Sequence, residues 1–185
     1  GNYRIMQLKQ EASKAFYRGN TKISEQISIG KSYQNYEINN NTYEGRTDFF
    51  QTGIDFNAQF TKWFGISSIN LYTFNKTYIN NKTSEKNIST FNSLNSAFIN
   101  LTKNLTLNVE GQYYYNNYFR KEKTSLFLNS TLEWRLKSVT LNMECINLLN
   151  KNVFHKITDS SVLKSENSLE LRGRTFLVGI RFIII

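Results

Sequence analysis

Apolar and polar positions alternate one by one along unusually long stretches of this chain. From Phe50, one face carries Phe50, Thr52, Ile54, Phe56, Ala58 and Phe60, and the other carries Gln51, Gly53, Asp55, Asn57 and Gln59. From Leu105, one face carries Leu105, Leu107, Val109, Gly111, Tyr113 and Tyr115, opposed by Thr106, Asn108, Glu110, Gln112 and Tyr114. From Leu126, the residues Leu126, Leu128, Leu132, Trp134 and Leu136 share a face, opposed by Asn129, Thr131, Glu133 and Arg135. A period of two is what a strand needs when one face is apolar and the other wet. Soluble strands average about 5–6 residues. The alternation here runs to about ten or more, the length at which a tilted strand crosses a bilayer.

The pattern predicts nine strands: Tyr3 to Lys14, Thr21 to Tyr36, Arg46 to Thr61, Ile66 to Tyr78, Ser89 to Thr102, Leu105 to Tyr118, Ser125 to Leu136, Val139 to Leu149 and Leu169 to Ile184. The facing of the fourth and fifth strands is ambiguous. Ile69 and Leu71 argue for one parity, Tyr72 and Phe74 for the other, and a bulge would reconcile them. Connections alternate as well. Short turns are expected at Tyr17–Asn20, Lys62–Gly65, Lys103–Asn104 and Lys137–Ser138, and longer polar loops at Asn39–Gly45, Asn80–Asn87, Phe119–Thr124 and Asn150–Asn167. Tight turns at one end and long loops at the other are the habit of outer-membrane barrels. The expected fold is therefore all-β: a transmembrane, antiparallel, up-and-down β-barrel wall.

Aromatics gather near the expected strand ends. Phe16, Tyr17, Trp63, Phe64, Trp134 and Phe182 lie at the short-turn end. Tyr33, Tyr36, Phe50, Tyr78, Tyr113, Tyr115, Tyr118 and Phe119 lie toward the long-loop end. Two interfacial girdles would select such a distribution. So would the ordinary β-propensity of aromatic residues.

Composition narrows the classes. Of the 185 residues, 39% are hydrophobic, and no stretch approaches the roughly 20 apolar residues of a spanning helix. Proline is absent, which suits long ladders in which each residue donates. The net charge is +9, yet the basic residues form no stripe or motif, so nucleic acid is not an expected partner. Scattered solvated lysines in loops and turns account for the charge, and anionic lipid headgroups or an anionic ligand are the sharper readings. One cysteine, Cys145, leaves no internal disulfide and no cysteine-based zinc site. His155, the sole histidine, builds no triad. No cofactor or enzymatic activity is expected. Cys145 shares the parity of Leu141 and Met143 and reads as a small apolar residue. The opening Gly1-Asn2-Tyr3-Arg4 shows no leader pattern, so a leader was removed or the start lies inside a longer protein.

The candidate site residues are those expected to face a barrel lumen: Asp55, Gln59, Glu110, Gln112, Glu133, Arg135, Glu144 and Arg181. A hydrated wall with cross-strand ion pairs accounts for them, and a substrate path is the sharper reading. Glu133, Arg135, Glu144 and Arg181 fall on three consecutive strands and are expected to form one network.

The last strand places Phe176, Val178, Ile180 and Phe182 on one face, the expected lipid face, and Gly179 and Arg181 on the other. Asn147-Leu148-Leu149-Asn150 precedes it across a long loop. Together, Asn147, Leu148 and Asn150, then Arg174, Phe176, Gly179 and Phe182, resemble the C-terminal end of TonB-dependent outer-membrane receptors. Leu149 stands where that family usually has an aromatic, and the chain ends in Ile185 rather than Phe. The motif covers about the last 50 residues, and the remaining strands match in rhythm only. The resemblance implies a barrel of about 22 strands with an N-terminal plug. Residues 1–185 would then be its C-terminal segment, without the plug and the earlier strands. It also implies import of a small-molecule or oligomeric nutrient across the cell outer membrane. The implied partners are outer-membrane lipid, the rest of the barrel and plug, TonB and a surface lipoprotein. An odd strand count agrees with a partial wall, since single-chain bacterial barrels have even numbers. The alternatives are a plug-less structural, porin-like or adhesin barrel, and a soluble β-barrel for a small ligand.

Overall fold

In the computed structural model, residues 3–16, 20–38, 40–80, 82–83, 87–119, 122–159 and 164–182 are described. The strands are β1 (Tyr3–Phe16), β2 (Thr21–Ile38), β3 (Asn41–Thr61), β4 (Phe64–Ile79), β5 (Lys82–Thr83) and β6 (Ile88–Asn100). They continue with β7 (Leu105–Asn116), β8 (Thr124–Arg135), β9 (Val139–Ile146), β10 (Val153–Asp159), β11 (Lys164–Glu170) and β12 (Thr175–Phe182). Nine of them run in series in one antiparallel sheet, β1-β2-β3-β4-β6-β7-β8-β9-β12, with β5 paired to β4 off that path. The strands β10 and β11 form a separate hairpin. No helix is present among the described residues.

Several boundaries differ from the sequence expectation. The polar run expected as a loop at Asn39–Gly45 is mostly strand: β2 and β3 stay paired out to Ile38↔Asn41, and Asn40 turns the chain with φ 61. Asparagine tolerates that left-handed conformation better than other residues with a side chain. The expected loop at Asn80–Asn87 holds β5, laid against Tyr78 and Ile79. The expected loop at Asn150–Asn167 holds β10 and the start of β11. Leu169, expected to open the last strand, instead pairs with Phe154 in that hairpin. The last sheet strand therefore begins at Thr175. The eighth expected strand stops at Ile146, because Asn147 takes φ 56 and leaves the ladder.

The expected bulge in the fourth and fifth strands is also absent. Between β4 and β6 the register is continuous from Phe64↔Ile99 to Asn75↔Ile88, and a shift occurs instead at Gln59/Thr61, where β3 meets β4 beside the turn. Paired residues share a face, so the parity of β4 and β6 follows from their neighbours. The face carrying Phe176, Val178, Ile180 and Phe182 continues through Leu141, Leu132, Leu107 and Ile99 to Phe64, Phe56 and Ile23. On this apolar face, β4 and β6 place Ser68, Asn70, Ser93 and Asn95 at mid-strand. Ile69, Leu71 and Leu94 turn to the polar face. Polarity is inverted locally and the ladder is not.

The ends of the sheet are staggered. One register row joins Thr21, Ala58, Ile66, Ala97, Val109, Ser130, Cys145 and Phe176. It lies beside the β1–β2 connection, but about seven residues of strand separate it from the β8–β9 turn. The edge that bears the short connections thus climbs by about five residues over six strand spacings. That is about 17 Å against about 29 Å, a slope of about 30°.

Little is buried. Among the described residues the buried hydrophobic ones are Ala58, Ile88, Phe119 and Cys145. Phe176 and Val178 are each 71% exposed, so no described part of the chain covers the apolar face there. Cys145 has the expected parity but is enclosed at 8% exposure.

Candidate functional site

The eight sequence-picked residues share one face of the sheet. The rows Ser24–Asp55–Ile69–Leu94–Gln112–Phe127 and Arg135–Thr140–Arg181 show this, as do the pairs Gln59↔Gly65, Glu110↔Ser96, Glu133↔Asn142 and Glu144↔Thr131. Their side chains are only partly brought together. Glu133 and Arg135 form an ion pair along one strand. The Gln112 amide donates to Asn92 Oδ1 at 3.3 Å. Among the described residues neither Glu144 nor Arg181 joins an ion pair, so the expected four-residue network reduces to one exposed pair. Such a pair contributes little, about 0–1 kcal/mol. At the β1 side, Glu11, Lys22, Ser24, Gln26 and Asp55 line a shallow open groove of about 300 Å³. Lys9 and Glu11 pair there at 2.5 Å.

The most structured part of the polar face was not among the sequence candidates. The β10–β11 hairpin folds onto it through Phe154, whose ring meets Tyr114 edge-on at 5.2 Å and Phe127 at 5.6 Å. Next to it, His155 lies 5.7 Å from the ring of Phe119, and its Nε2 is 3.1 Å from Glu122 Oε2. Ser168, on the facing strand of the hairpin, meets His155 Nδ1 at 3.2 Å. Edge-to-face aromatic pairs at such distances add about 0.5–1.5 kcal/mol each beyond their buried area.

Beneath this cluster the β7–β8 connection is held by asparagines. Asn116 is fully buried, donates to Tyr114 Oη at 3.2 Å and accepts from the Tyr118 amide at 2.8 Å. Asn117 accepts from the Ser89 amide at 2.8 Å and donates to the Asn87 carbonyl at 3.1 Å. Phe119, expected in an interfacial girdle, is instead buried at 5% exposure beside Tyr118 and His155. The sequence did carry a signal for the hairpin. Val153, His155 and Ile157 alternate with Phe154, Lys156 and Thr158, a short period-two run inside a polar stretch.

Four of the residues that carry the family resemblance form a clasp. The Asn147 side chain donates to the carbonyls of Lys151 at 2.7 Å and Arg172 at 3.0 Å, and accepts from the Lys151 amide at 2.9 Å. Asn150 accepts from the Arg174 amide at 3.0 Å, and Arg174 Nε donates to the Leu148 carbonyl at 3.0 Å. Asn147, Leu148, Asn150 and Arg174 thus lock the exit of β9 to the entry of β12. This is structural work: it sets the base of the hairpin and the register of the last strand.

Among the described residues no group of three or more histidine, cysteine, aspartate or glutamate side chains is placed to hold a metal ion. No helix is long and apolar enough to cross a membrane, which says nothing of strands. Compared with known proteins, the chain matches no protein-family model, no curated protein and no solved structure.

Proposed function

We propose that this chain is part of the wall of an outer-membrane β-barrel, and that the barrel is a TonB-dependent receptor importing a nutrient. The observation that carries the membrane half is a largely apolar face, interrupted at mid-strand on β2, β4 and β6, on a staggered sheet. Barrel strands tilt by about 35–45°, and the slope of about 30° in the short-connection edge comes close to that. The aromatic rows fit the same picture. On the apolar face, Phe50, Tyr72, Phe74, Phe91, Tyr113 and Tyr115 lie toward one end. Phe16, Phe64, Trp134 and Phe182 lie toward the other. From Phe64 to Phe74 is about 33 Å along the strand, or about 25 Å of height at a tilt near 40°, the apolar thickness that a membrane barrel presents. In this reading the exposed row Phe176, Val178, Ile180 and Phe182 faces lipid. The candidates Asp55, Gln59, Glu110, Gln112, Glu133, Arg135, Glu144 and Arg181 face the lumen.

The receptor half rests on the resemblance at Asn147, Leu148, Asn150, Arg174, Phe176, Gly179 and Phe182. It brings as partners the rest of the barrel and its plug, TonB, a surface lipoprotein and a small-molecule or oligomeric nutrient. The aromatic hairpin at the mouth of the polar face would then narrow the entry to the lumen. A second reading, a plug-less porin-like, structural or adhesin barrel, is favoured by the β2–β3 hairpin. Its paired residues from Asn35↔Glu44 to Ile38↔Asn41 run past the partner strand β4, which ends at Gly45↔Ile79, as a projecting adhesive element would.

A cysteine scan of β12 in intact membranes tests the first half. Positions 176, 178, 180 and 182 should resist a water-soluble maleimide, and 177, 179 and 181 should react. Uniform labelling overturns the membrane reading. For the second half, the full-length protein should bind the periplasmic domain of TonB in a pull-down. A failure there favours the plug-less barrel.

A further inference from the structure

The apolar face is uneven. Over β7, β8, β9 and β12 its mid-strand positions are Val109, Gly111, Leu128, Leu132, Leu141, Met143, Val178 and Ile180, apolar but for Ser130. Over β2 to β6 it holds Glu25 on β2 and the four residues Ser68, Asn70, Ser93 and Asn95. Those four form a closed ring of hydrogen bonds. Ser68 donates to Asn95 at 2.6 Å, Asn95 to Ser93 at 2.8 Å, Ser93 to Asn70 at 2.7 Å, and Asn70 back to Ser68 at 2.8 Å. The second amide hydrogen of Asn70 reaches the Ile54 carbonyl at 3.4 Å. Among the described residues the ring leaves one donor on the exposed Asn95 without a partner. Glu25, also exposed, has neither a hydrogen bond nor an ion pair among the described residues. An unmet polar group facing hydrocarbon costs several kcal/mol.

We propose that this part of the face, from β2 to β6, contacts a second copy of this chain within the membrane. The inference rests on the membrane reading above. Its argument is complementarity. Glu25 and Asn95 stand on opposite flanks of the patch, three strand spacings or about 14 Å apart, with Ile54 and Phe56 on β3 and Ser68 and Asn70 on β4 between them. Both lie roughly 20–25 Å of strand from the short-connection edge, so they share a depth. A two-fold axis along the membrane normal, passing between β3 and β4, exchanges the flanks at constant depth. It brings the Glu25 carboxyl of each copy to the Asn95 amide of the other, with Ile54 and Phe56 of each copy over the Ser68 and Asn70 side of the other's ring. Such a contact is self-complementary, as a two-fold interface must be. A polar group on the lipid-facing side acts as the adhesive that hydrocarbon alone does not supply.

The test uses the full-length protein in its own membrane, with Cys145→Ala to remove the native thiol. Glu25→Cys with Asn95→Cys should give a reducible covalent dimer on oxidation. The two positions are too far apart in one chain for an internal disulfide. Val178→Cys, on the uniform half, should give about tenfold less dimer while staying protected from water-soluble maleimide. Native mass spectrometry of the unmodified protein in mild detergent, expected at twice the chain mass, serves where the variants fold poorly. A protected but monomeric protein overturns the proposal, and so does an adduct with a different protein. Labelling of Val178→Cys would instead overturn the membrane reading itself.

Discussion

Asn147 concentrates several constraints in one residue. It ends β9 with a left-handed φ of 56, and its side chain makes three hydrogen bonds to the backbone of residues 151 and 172. Asn147→Ala loses the bonds and keeps a side chain that disfavours the φ, so we expect a loss of about 2–4 kcal/mol. Asn147→Gly relieves the backbone but not the bonds and should fall between. Unfolding of the folded barrel in urea, followed by tryptophan fluorescence, gives the ranking, and equal midpoints for all three proteins would exclude the clasp. Gly65 poses a simpler steric case. A Cβ there would run into the ring of Phe98 on β6 and crowd the Ala58 carbonyl. Gly65→Val should destabilise by about 1–3 kcal/mol through overpacking. Phe98→Ala in the same chain should recover part of that, a coupling that a double-mutant cycle measures directly.

At the scale of elements, the β10–β11 hairpin meets the strands of the sheet through one side chain, while His155 meets the β7–β8 connection at Phe119 and Glu122. Phe154 supplies its ring contacts to β7 and β8 through Tyr114 and Phe127. Phe154→Ala should therefore loosen the hairpin from β7 and β8 and leave the nine-strand sheet intact, since truncating a packed Phe costs about 3–5 kcal/mol. Faster amide exchange confined to β10 and β11 is the expected result, and exchange spreading into β8 and β9 would place the aromatic cluster in the sheet's own core. This element also shows where sequence reasoning ran out. The long strands were legible because period-two alternation over ten or more positions has no competing explanation. The seven-residue strands β10 and β11 sit in a polar stretch whose short alternation looks like a loop. The Asn41–Gly45 part of the expected loop was likewise misjudged, since asparagine serves loops and tight turns alike. The face of β4 and β6 could not be decided locally at all. Ser68, Asn70, Ser93 and Asn95 lie on the apolar side while Ile69, Leu71 and Leu94 lie on the polar side, and only the pairing with β3 and β7 fixes the parity.

For the whole molecule, the decisive quantity is the tilt of the strands. A flat sheet with level ends and a tilted barrel wall can share the same strand order, but they differ in stagger. Here the short connections recede steadily, from the β1–β2 end beside Thr21 to the β8–β9 turn about seven residues beyond Ser130. If the short connections lie at one membrane surface, that recession converts into strands inclined by about 30–45° to the normal. Polarised infrared spectroscopy of the full-length protein in oriented bilayers measures this inclination averaged over the strands. An average in that range agrees with both the stagger and the spacing between the aromatic rows. Strands lying nearly parallel to the bilayer plane would mean that the apolar face rests on the membrane, or is covered by protein, without crossing it. Strands close to the normal would make the distance from Phe64 to Phe74 about 33 Å of height, too tall for an apolar band of about 25 Å. The same measurement thus separates a spanning wall from a surface-bound sheet, and it checks the register row through Thr21, Ala58, Ile66, Ala97, Val109, Ser130, Cys145 and Phe176 from which the slope was drawn.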